Sequence, residues 1–75
     1  MRSFDAPDGQ RWQAALLEAS YGQVLLIFSA DRSGELRQHP MPAEHLAEAT
    51  GELAALDDAA LATLLAQAAP WQPGA

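Results

Sequence analysis

Cysteine, lysine and asparagine are absent from the 75 residues. Without cysteine there is no disulfide framework, no thiolate zinc site and no thiol nucleophile. No stretch reaches the roughly 18 apolar residues that a membrane-spanning helix needs. Met1-Arg2-Ser3-Phe4-Asp5 does not read as a signal peptide, so a cytoplasmic protein is the expectation. Positive charge is scarce as well: four arginines stand against ten acids, a net charge of −6. Residues 1–40 sum to −1, while 41–75 carry Glu44, Glu48, Glu52, Asp57 and Asp58 with no base and sum to −5. An acidic half repels phosphate, so nucleic acid is a poor partner. The plain reading of that charge is a solvated face, although it would also suit a protein that imitates nucleic acid for a basic partner.

Alanine and leucine dominate, with 17 and 11 copies, and arginine is the sole base. The bias fits a GC-rich bacterial genome. The length allows one domain, residues 1–75, with a small core, since a chain of this size buries only about 60% of its unfolded surface.

Three segments of the first half share one form: Ala6-Pro7-Asp8-Gly9-Gln10, Ala19-Ser20-Tyr21-Gly22-Gln23 and Asp31-Arg32-Ser33-Gly34-Glu35. Each places glycine fourth, where a three-residue hairpin loop needs a left-handed residue. Pro7 suits the first turn position. The spacing predicts an antiparallel meander of four strands at about 1–6, 10–19, 23–30 and 35–39.

Closing each loop this way sets the register. Phe4 faces Trp12, Leu16 faces Leu26, Ala14 faces Phe28, and Ala30 faces Leu36. Side chains alternate between faces, so one face holds Phe4, Trp12, Ala14, Leu16, Val24, Leu26, Phe28 and Leu36. The other holds Ala15, Leu17, Leu25 and Ile27, with Asp5, Arg11 and Asp31 grouped at one end. A half-wet antiparallel sheet alternates apolar and polar residues, yet 14–17 and 24–28 are apolar throughout. The second face therefore needs cover, from residues 42–56 or from another copy of the chain, unless the sheet curls into a small half-barrel.

The second half predicts helices at about 42–49 and 58–69. Pro42 suits a first helical turn, and Gly51 interrupts or caps the segment. Asp57 is an N-cap followed by Leu61, Leu64, Leu65 and Ala68 at helical spacing. Pro70 ends that helix, and Trp71 is large enough to anchor the tail on the core. The fold class is α+β.

No residue pattern points to catalysis. His39 and His45, with Glu44 and Glu48, lack the spacing of a zinc site. No serine sits in a Gly-x-Ser-x-Gly turn, and Gly9, Gly22 and Gly34 belong to separate turns, none of which opens a helix. Neither a metal nor a cofactor is expected. The leading expectation is a non-enzymatic protein-interaction domain, most simply a homodimer meeting through Ala15, Leu17, Leu25 and Ile27. The alternative is a small-ligand or catalytic pocket between sheet and helix near Trp12, Glu18 and Tyr21, where a carboxylate beside apolar side chains could act as an acid.

Overall fold

The first two turns close as their glycines require. Ala6 N–H donates to Gln10 O (2.8 Å), Gly9 N–H donates to Ala6 O (2.9 Å), and Ala19 N–H donates to Gln23 O (2.7 Å). Gly9, Gly22 and Gly34 lie at φ 86°, 75° and 71°. These turns join β1 (Arg2–Asp5), β2 (Arg11–Glu18), β3 (Val24–Ala30) and β4 (Leu36–Pro40), followed by α1 (Leu46–Ala55), α2 (Asp58–Gln67) and a short β5 (Ala69–Pro70). The computed structural model describes residues 2–19 and 22–71. Expectations for Met1, Ser20, Tyr21 and the tail beyond Trp71 lie outside the described residues.

The fold is α+β: an antiparallel meander in the order β1-β2-β3-β4-β5, with two helices between β4 and β5. The expected pairs Phe4–Trp12, Ala14–Phe28 and Leu16–Leu26 all form. Their inner side chains build the core with Ala49 and Leu53 of α1, Leu61 and Leu65 of α2, and Met41. Phe4 and Phe28 meet edge to face at 5.9 Å, the geometry the ring quadrupoles favour.

Four expectations need correction. The third hairpin is one residue out of step. Asp31 N–H bonds back to Arg11 O, continuing the β2–β3 ladder, and Ala30 N–H pairs with Glu35 O instead. The loop therefore has four residues, and Ser29 faces Leu36 while Phe28 faces Arg37. A slip of one exchanges faces, so Leu36 turns outward and Arg37 turns inward.

The first helix does not span 42–49. It starts at Leu46 and runs to Ala55, with Gly51 inside it. Met41 is the reason. Its N–H donates to Val24 O, and its side chain is buried. The chain thus leaves the sheet only after residue 41, and crossing about 10 Å between layers takes about three extended residues. Gly51 is tolerated because Ala49 and Leu53 supply the inward face.

The second helix stops at Gln67, short of 69, because Ala69 and Pro70 pair with Gln38 and Arg37 as a fifth strand. A residue before proline avoids the helical region, and here it takes up strand pairing. Lastly, Trp71 does not anchor on the core. Its N–H donates to Leu36 O, which continues the ladder and sets Trp71 beside Leu36 on the outer face.

Candidate functional site

Both helices lie on the inner face, since Ala49, Leu53, Leu61 and Leu65 share one cluster with Phe4, Trp12, Ala14, Leu26 and Phe28. The shortest extent of the molecule is 18 Å, enough for a sheet and one helix layer about 10 Å away but not for a third layer. Among the described residues no helix covers the outer face.

The pairing register and strand alternation map that face. Leu17, Leu25 and Pro40 form one row across β2, β3 and β4, and Ala15, Ile27 and Gln38 form the next, continued by Ala69 of β5. The third row is Ser3, Gln13, Ser29 and Leu36, with Trp71 beside Leu36. Beyond it lie Asp5, Arg11 and Asp31. Arg11 Nη1 bonds Asp5 Oδ1 at 3.3 Å, and Gln13 Nε2 donates to Asp31 Oδ1 at 3.2 Å. The face thus grades from an apolar end to a polar end.

The four residues expected at an interface all fall on this face. Leu17 is 39% exposed, and Ala15 and Ile27 are half-buried. Leu25 is 8% exposed although it lies outside the helix-covered cluster. The face is therefore less wet than three fully exposed side chains would make it. Sequence reasoning missed Leu36 and Trp71. Their place depends on the four-residue third loop and on β5, which neither glycine spacing nor helical periodicity encodes.

The pocket expected near Trp12, Glu18 and Tyr21 does not form as one site around its two described members. Trp12 and Glu18 occupy opposite ends of β2, six residues or about 20 Å apart. Trp12 is 2% exposed, with Arg37 Cζ 5.2 Å from its ring centre. Arg37 also donates to Glu35 Oε2 (2.6 Å) and Leu65 O (3.4 Å). Glu18 pairs with Val24 as expected, but it lines a separate cleft of about 380 Å³ with Gly22, Glu44, His45 and Leu46. His39 lies on β4, where its Nδ1 is 2.9 Å from Pro40 O. Among the described residues no three His, Asp or Glu side chains converge as a metal site. No described helix is long and apolar enough to cross a membrane.

No protein-family model matches the chain, and neither a curated protein nor a solved structure matches it.

Proposed function

We propose that this chain is a non-enzymatic protein-interaction domain whose working surface is the outer face of its sheet. One observation carries the reading: Ala15, Leu17, Leu25, Ile27, Leu36 and Trp71 share a face that both helices leave open. Sheets in small domains bury one face and present polar residues on the other. Apolar side chains set where polar ones are usual, with Leu17 39% exposed among them, suit a surface that meets another protein.

The test is the double variant Leu17→Gln, Ile27→Thr. If the face serves association, the unfolding free energy of the dilute chain falls by less than about 1 kcal/mol, the scale of cross-strand contacts, while association is lost. A loss of more than about 3 kcal/mol in the dilute chain, the range of core truncations, would assign the face to the chain's own core and overturn the reading.

The cleft beside Glu18 supports a second reading, a small-ligand site, because two carboxylates and an imidazole line it. Nuclear magnetic resonance titration of Glu18 and His45 tests it. An ordinary carboxyl titration for Glu18, with no shift on adding candidate ligands, removes its support.

A further inference from the structure

We infer that the occupant of the outer sheet face is a second copy of this chain, packed sheet on sheet about a two-fold axis that runs along β3. The inference rests on the reading of that face as the working surface and adds the partner and its orientation.

Charge selects the partner. A molecule of net charge −6 repels its own copies, so two copies can meet only where the acids are few. Of the ten acids, only Asp5 and Asp31 belong to the outer face, both at its polar end, and Arg11 lies between them. That face sums to −1 and the rest of the molecule to −5. Glu44, Glu48, Glu52, Asp57 and Asp58 lie on or beside the helices, on the far side of the sheet. Sheet-to-sheet contact therefore keeps the acidic surfaces of the two copies apart. A basic partner would be drawn to the helical side and would leave the apolar face uncovered.

Area sets the strength. Five strands about 4.8 Å apart and a seven-residue β3 rising about 3.3 Å per residue make a face of roughly 19 by 23 Å. Two such footprints hide about 900 Å², and somewhat more once the side-chain relief is counted. This lies below the roughly 1,200 Å² at which standard specific interfaces begin, in the class of weak, transient contacts. A dimer that assembles in the micromolar range is the matching expectation.

The gradient across the face sets the orientation. An axis running across the strands would lay Leu17 over Arg11 and Leu25 over Asp31 of the other copy. An axis along β3 lays the apolar end on the apolar end, so that Leu17 approaches Pro40 of the second copy, and Leu25, Ile27 and Ser29 approach their own counterparts. Aligned sheets cross at about 30°, which sets the axis about 15° off the direction of β3.

The absence of cysteine gives a clean test. Ser29→Cys adds one thiol beside the proposed axis with little change of volume. Thr63→Cys adds one on the exposed side of α2 as the control. Sedimentation of the wild-type chain from about 1 to 500 µM should pass from the monomer to twice its mass. A short bis-maleimide should cross-link the Ser29→Cys chain to itself and leave the Thr63→Cys chain monomeric. Ile27→Arg, added to Ser29→Cys, should remove the cross-link. A monomer at 500 µM overturns the second copy. If the Leu17→Gln, Ile27→Thr chain then keeps its dilute stability, the reading of an interaction face survives; if it unfolds, that reading fails too. A dimer that cross-links through position 63 and not 29 overturns both the orientation and the face. A different protein captured through position 29, with no self-cross-link, overturns the second copy alone.

Discussion

Arg2 sits at the first position of β1 with its guanidinium among the last carbonyls of α1. Nη1 donates to Leu53 O at 3.0 Å and to Leu56 O, and Nη2 lies 3.4 Å from Asp58 Oδ1. The last turn of α1 has no basic residue of its own, so Arg2 supplies the positive charge that the negative end of a helix favours. The two carbonyl bonds matter more than the ion pair, because Asp58 is 62% exposed and exposed pairs contribute little. We expect Arg2→Met, which keeps the aliphatic stem, to destabilise the chain by about 1–3 kcal/mol, the range for bonds to a charged donor. Thermal unfolding checks this, since each kcal/mol shifts a domain of this size by about 4–8 °C. Asp58→Asn should cost far less. Nothing in the local sequence around Arg2 marks this role, because its partners lie more than 50 positions away. Arg37 presents the same difficulty: closing the third loop with three residues placed Leu36 on the inner face, whereas the inner place is filled by an arginine lying over Trp12.

Among the elements, α2 was the more legible helix. Asp57 Oδ1 accepts from Ala60 N–H at 2.8 Å, and Leu61 and Leu65 turn inward as their spacing requires. The helix α1 was harder to place, because its start depends on Met41 completing the sheet and its N-cap His45 makes no side-chain cap bond. Gly51 lies in the middle of α1, and a Cβ there would meet no atom within 4 Å. Glycine in a helix interior is less favourable than alanine by about 1 kcal/mol. We therefore expect Gly51→Ala to raise stability by about 0.5–1 kcal/mol, read from denaturant midpoints at unchanged slope. A decrease would show that residue 51 is not held in a helix. The hairpins follow the same division. Two loops of three residues were legible from glycine position, whereas the third has glycine in the same place but one more residue in the loop, and only the pairing of Asp31 with Arg11 reveals it.

At the scale of the whole molecule, two layers leave one face of the sheet open. If copies close that face, stability depends on concentration, because whatever binds only the folded state adds to its stability. Raising the chain from about 5 to 500 µM should then lift the unfolding midpoint by several degrees, and Leu17→Glu should abolish the dependence. Leu17 is the better position for the charge because it is 39% exposed, whereas Leu25, at 8%, would confuse unfolding with dissociation. Differential scanning calorimetry at both concentrations decides the matter, and equal midpoints for the wild type would count against association.

The sequence by itself determined the meander, the positive-φ glycines, the register of the first three strands, the capped helix α2 and the division of 14–17 and 24–28 between two apolar faces. All of these follow from interactions within a strand, a turn or a helix, where spacing along the chain is spacing in space. Only the tertiary structure decided that both helices share the inner face, that β5 joins the sheet, that Arg37 and Leu36 exchange faces, and that Leu36 and Trp71 extend the outer patch. Each of these choices depends on contacts between distant segments, and the free energy of such contacts is set by how the layers fit together.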